Sequence, residues 1–141
     1  MINIRPLIEA RIKAQIPDFK EVAGASDMAS LFAGRLADNG CYILQDSERA
    51  SPNTRVNAVS QENTEHYAVL IVVRNVRDAR GSDAADVCHA LRDQVLTTLL
   101  GWEPDSTITP FEKVDGRLLS FADGFYIWKE TYKTSQLIRN V

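Results

Sequence analysis

Few side chains in this 141-residue chain are of types that do chemistry, and their spacing decides how far each can be taken. Asp86, His89 and Asp93 stand at i, i+3 and i+7, which places two carboxylates and an imidazole on one face of a helix. Such a face can hold a metal ion. The opposite face of the same segment is an apolar stripe, however, and that arrangement reads more simply as a solvated polar surface. His66 opens a long apolar run without a partner group in sequence and reads as structural. Cys41 and Cys88 lack CxxC or CxxH spacing and are too few for a disulfide framework. Cys88 falls on an apolar stripe and is expected to behave as a small hydrophobe, while Cys41, opening a strand beside a helix end, is expected to be partly exposed. The loops GxxxxGK[ST] and GxGxxG, the helix HExxH and the elbow GxSxG are all absent. No catalytic residue, metal or cofactor is therefore expected, and the chain is not read as an enzyme.

Two features remain. Trp102, in Gly101-Trp102-Glu103-Pro104, is either a ring for stacking a ligand or, following a helix end, the plug that closes the core. Arg74, Arg77 and Arg80 leave a strand together, and either make bidentate contacts to a neighbour's carboxylates or form a solvated turn. Eleven of the sixteen basic residues are Arg, a type enriched at protein interfaces. The formal charge of -3 removes the basic footprint that sequence-independent nucleic-acid binding requires. The longest apolar run, Tyr67 to Val73, is far short of the roughly 18 residues of a membrane span, and the N-terminus lacks the order of a secretion signal, so a soluble protein of a reducing cytoplasm is expected.

These residues must be positioned by a fold of ordinary composition. With 45% hydrophobic and 25% charged residues, residues 1–141 read as a single domain. Ile4, Leu7, Ile8, Ile12 and Ile16 recur at helical spacing, with Pro6 in the first turn and Pro17 as the stop. Ser26 and Asp27 signal the start of a second helix, with Met28, Leu31, Phe32 and Leu36 as its stripe and Asn39-Gly40 as its end. Cys41 to Gln45 reads as a short strand. From Asp46 to Glu65 the chain is polar and rich in turn formers, and residues 46–65 are expected to form a long projecting arm, part of it poorly held in an isolated subunit. His66 to Val76 reads as the central strand, covered on both faces.

Ser82 to Leu100 is the strongest helix, with Asp83 and Asp86 at its start, Ala84, Val87, Cys88, Leu91, Val95 and Leu99 along one face, and Gly101 at its close. Asp115-Gly116 and Asp123-Gly124 have the spacing of two tight turns, so the last third is expected to be a three-stranded meander. Its final strand, from Phe125 to about Thr134, places Tyr126, Trp128 and Tyr132 on one face. The expected fold is α+β, a largely antiparallel sheet of four to five strands packed with one long helix and two N-terminal helices.

The run from His66 to Gly81 resembles the tail-terminator (tail-completion) proteins of long-tailed bacteriophages. So do Ala85-Asp86-Val87, Leu91-Arg92, Leu99-Leu100-Gly101-Trp102-Glu103-Pro104 and Gly116-Arg117-Leu118-Leu119. The resemblance implies a structural subunit that forms a ring, usually of six copies, on the last ring of the tail tube. There it stops tube growth and offers a surface to a head-completion protein. Its partners would be its own copies, the tail tube protein and the head-completion or connector protein. It would assemble in the bacterial host cytoplasm and reside at the head-proximal end of the virion tail, with DNA passing through the lumen and no specific binding to nucleic acid or membrane. The arm and an exposed aromatic strand would supply the two unlike surfaces a ring needs. The residues named for these contacts are Arg55 in the arm, Arg74, Arg77 and Arg80 at the sheet end, and Tyr126 and Trp128 on the last strand. The alternative is a small ligand-binding or regulatory domain using a pocket beneath Trp102 and the aromatic residues of the meander.

Overall fold

In a computed structural model the described residues are 1–74, 80–122 and 124–140. Three helices and five strands follow one another as α1 (Arg5–Gln15), β1 (Glu21–Gly24), α2 (Met28–Ala33), β2 (Gly40–Ala50), β3 (Val59–Arg74), α3 (Ser82–Leu99), β4 (Glu112–Ala122) and β5 (Phe125–Asn140). The strands form one mixed sheet in the order β1-β2-β3-β5-β4, parallel only between β1 and β2. The class is α+β, as the residue pattern implies.

The apolar run 67–73 explains the middle of the sheet. Neighbouring side chains of a strand point to opposite faces, so an unbroken apolar run needs a cover on each. Tyr67, Val69, Ile71 and Val73 meet Ile8 and Ile12 of α1, the Ile4 and Ile16 that flank it, and Ala84, Cys88, Leu91, Val95 and Leu99 of α3. Ala68, Leu70 and Val72 face the other way, where α2 contributes Met28 and Leu31. Helix α1 is tied to α3 by Arg11, whose Nε donates to the carbonyl of Thr98 at 2.8 Å.

Four expectations are corrected. The polar stretch 46–65 is mostly strand: β2 runs on to Ala50 and β3 begins at Val59, leaving only 51–58 as a loop. The strands continue beyond the core because main-chain pairing needs no apolar side chains, and β5 follows β3 all the way to the pair Val59 and Asn140. The last third is a single hairpin in place of a three-stranded meander. Asp115-Gly116 lies inside β4, where a Cβ on Gly116 would collide with Glu130 Oε2 and meet Trp128 Nε1 at 3.0 Å, so this glycine serves close approach and not a turn. Helix α2 ends at Ala33 instead of reaching Asn39, because Gly34 takes up extended geometry and the chain then crosses the sheet end. Cys41 is fully buried, since β2 is covered from Gly40 to Leu44. One strand was also missed: β1 has four residues and too little apolar pattern to stand out.

The polar outer halves of β3 and β5 are anchored at their base. Gln136 of β5 is buried and bonds the backbone of Ile2 twice, accepting from its amide and donating to its carbonyl, each at 2.9 Å. Its amide nitrogen also donates to Glu65 at 2.6 Å, and the Tyr67 hydroxyl donates to the other oxygen of Glu65 at 2.8 Å. The buried carboxylate is thus held by neutral donors, as burial requires.

Burial also fixes the state of both thiols, pushing Cys88 up to about 12 and Cys41 further in the same direction. At pH 8 the folded chain is therefore expected to show no thiol that reacts rapidly with an aromatic disulfide reagent, and two per chain in urea. Rapid labelling of either cysteine in the native protein would contradict this packing.

Candidate functional site

The alternation along β5 brings one charge into the core. Trp128, Glu130 and Tyr132 share a face, the one covered by α3, so the Glu130 carboxylate comes to lie almost fully buried under that helix. Such a charge must be compensated. Arg92, one residue past the buried Leu91 on α3, donates from Nε to Glu130 Oε1 at 2.9 Å, and Lys113 of β4 pairs with Oε2 at 3.3 Å. The Arg92 guanidinium also lies 3.9 Å from the centre of the Trp128 ring. Among the described residues, Trp128 Nε1 and the Tyr132 hydroxyl have no hydrogen-bond partner. Removal of water raises the pKa of Tyr132 far above its ordinary value. This cluster pins α3 and the hairpin together; its residues face inward and are not arranged to attack a substrate.

Residues proposed for chemistry are equally dispersed. Asp86, His89 and Asp93 lie on the exposed face of α3. Among the described residues, no group of three or more His, Cys, Asp or Glu comes together as a metal site. His66 is half-buried in the ribbon, opposite Ser47 and Lys133. Trp102 stacks on Phe111 with ring centres 5.3 Å apart, and Arg11 sits 4.8 Å from its ring, so this side chain closes the end of the core.

Three surfaces are left. The first is the ribbon formed by the outer halves of β2, β3 and β5, which begins where Asp46 bulges out of register between Gln45 and Ser47. From Gln45 to Ala50 every residue of β2 is exposed. Arg55 lies at its tip and is exposed.

The second is a groove of about 940 Å³ on the α2 side. Phe32, Leu36, Phe125 and Ile127 contribute its apolar lining, and Glu21, Arg35, Asp38 and Arg74 its charges. The chain after α2 shapes it, because the Tyr42 hydroxyl accepts from the Ala37 amide at 2.8 Å. Arg74 ends β3 here, and its amide donates to Asp38 Oδ1 at 3.3 Å. The third surface is the outer edge of β4, exposed from Glu112 to Leu118 and broken by irregularities at 113–115 and 118–120.

The six residues named from sequence do not form one patch. Arg55 and Arg74 stand at opposite ends of the β3 axis. Arg80 is exposed in the turn before α3, and Arg77 lies outside the described residues. Tyr126 and Trp128 are half-buried against the helix-side core, so they are not an open aromatic face. Sequence reasoning missed the groove and the buried ion pairs. The groove gave little signal, because its walls come from four separate segments. Glu130 gave one: it has the same parity along β5 as Trp128 and Tyr132, which marks it for the covered face.

Because Arg92 is the nearer of its two cations, Arg92→Ala is expected to cost about 3 kcal/mol in urea unfolding, with the more exposed Lys113 costing less when replaced. Equal effects of the two substitutions would show that Glu130 is not held in this way.

The family model described as "Phage tail terminator protein" matches residues 3–140. No curated protein matches the chain.

Proposed function

The chain belongs to the phage tail terminator family, a family of structural proteins of the bacteriophage tail, and on that membership we propose that it caps the growing end of the tail tube. In this reading six copies of the chain close into a ring. The ring sits on the last ring of tube protein, stops further addition and presents its other side to the head-completion protein. No catalysis is needed: the free energy comes from fitting one surface to another.

The observation that carries the reading is a family match over nearly the whole chain, from residue 3 to 140, on a fold whose outward surfaces are unlike one another. A ring requires that inequality. When a surface fits only a different surface on the next copy, association is head-to-tail and closes if the rotation per copy allows it. The ribbon at one end of the sheet and the groove at the other supply two such surfaces. The net charge of -3 suits a lumen through which DNA must slide without sticking.

The test is to add the purified protein to polymerising tail tube protein and to measure tube lengths by electron microscopy. Growth is expected to stop, with extra density at one end of each tube and an effect that saturates near one ring per tube. Tubes of unchanged length with bare ends would refute the proposal.

A further inference from the structure

The two faces of the sheet are covered very unequally. On one, α1 and α3 bury whole rows of side chains, and the contacts of Arg11 and Arg92 lock both helices in place. On the other, Tyr42, Leu44, Ala68, Leu70, Val72 and Ile127 form a second buried cluster. The segment 25–39 lies against it and buries none of its own residues; Met28, Leu31 and Leu36 are only half-buried there. Helix α2 within this segment has six residues, fewer than two turns, and a helix so short has little stability of its own.

The segment is tied down at its two ends. The Ala25 amide donates to the Ile43 carbonyl at 2.9 Å. At the far end the Ala37 amide donates to the Tyr42 hydroxyl at 2.8 Å, Asp38 accepts from the Arg74 amide at 3.3 Å, and the Asn39 carbonyl accepts from the Lys20 amide at 2.9 Å. Between these ties the bonds are internal: Asp27 caps α2 by accepting from the Ser30 amide at 2.7 Å, and the Gly34 amide donates to the Leu31 carbonyl at 3.2 Å. Among the described residues, none outside the segment hydrogen-bonds to residues 26–36. Phe32 and Leu36 also line the groove of about 940 Å³ together with Phe125 and Ile127, so along that margin the segment is not packed shut.

We propose that residues 26–36 are a cover that lifts from the sheet as one unit, tied at Ala25 and at Ala37 to Asn39, while the five strands, α1 and α3 stay folded. Lifting bares Leu70, Val72 and Ile127 beside the groove as one apolar strip. It gives up the half-burial of three side chains and leaves the helix-side core untouched. Openings held by so few apolar contacts and backbone bonds occur well below the free energy of global unfolding.

Val72→Cys and Val69→Cys test the cover. Both positions are fully buried on one strand and face opposite layers, and Cys41, in the helix-side core, is a reference within each chain. Labelling with an aromatic disulfide reagent is read residue by residue by mass spectrometry. The thiol introduced by Val72→Cys is expected to react at least about a hundredfold faster than Cys41 or the thiol introduced by Val69→Cys. Its rate should be nearly flat in low urea, because a short cover exposes little surface when it opens. Ile12→Val, which loosens the helix side, should speed Cys41 roughly fivefold and leave the thiol at position 72 unchanged.

Equal reactivity at positions 69 and 72 would overturn the proposal, as would an Ile12→Val effect that speeds both sites alike, since opening would then be global. Amide exchange in the unmodified protein reads the same event without a new thiol. Residues 30–34 are expected to exchange by a route insensitive to low urea and residues 91–98 only through unfolding; a common route for both would also refute the cover. Tube capping is a separate measurement, and neither result depends on the other.

Discussion

Two ladders of main-chain hydrogen bonds along β3, continuous to β5 and interrupted once to β2 at the Asp46 bulge, are the constraint on which this molecule depends. Sixteen residues of that strand pair with β5, and its inner and outer halves also pair with β2. Only the half from Tyr67 to Val73 receives apolar cover on both faces. The other half has polar side chains and still remains in register, because strand pairing satisfies the backbone wherever the neighbours continue. One element is therefore both the centre of a core and the spine of a structure standing in water.

The rest of the fold secures the junction between these halves. Gln136 binds Ile2 and Glu65 where apolar burial ends, and Lys129 reaches Asp46 at 3.6 Å across the bulge that marks the boundary. On the helix side, Arg92 and Lys113 neutralise Glu130 between α3 and the β4–β5 hairpin. Buried polar groups of this kind contribute less to net stability than well-packed apolar ones would. Their geometry fixes how the elements sit against one another, and so holds the outward surfaces in fixed relation.

How much of this was legible depended on the type of interaction. Helices α1 and α3 were plain, because Ile4, Ile8, Ile12 and Ile16, and likewise Cys88, Leu91, Val95 and Leu99, repeat at the spacing that burial against a sheet imposes. The central strand was plain for the same reason. The ribbon was not, since Ser60, Gln61, Glu62, Asn63 and Thr64 are residues that a loop also uses, and what makes them a strand is the distant partner β5. Asp115-Gly116 misled because a glycine beside an aspartate suits a tight turn, whereas here the missing side chain makes room for Glu130. Of the surface, Arg55 and Arg74 could be picked out as single residues, but the groove comes from four segments, and no periodicity reports it.

The two interruptions along β4 bear on how free copies behave before they are used. Between them only residues 115 to 118 keep regular spacing on an otherwise bare margin, too few to zip against another sheet. The margin therefore offers no long, regular row of unpaired backbone groups along which sheets of separate copies could join edge to edge into fibrils.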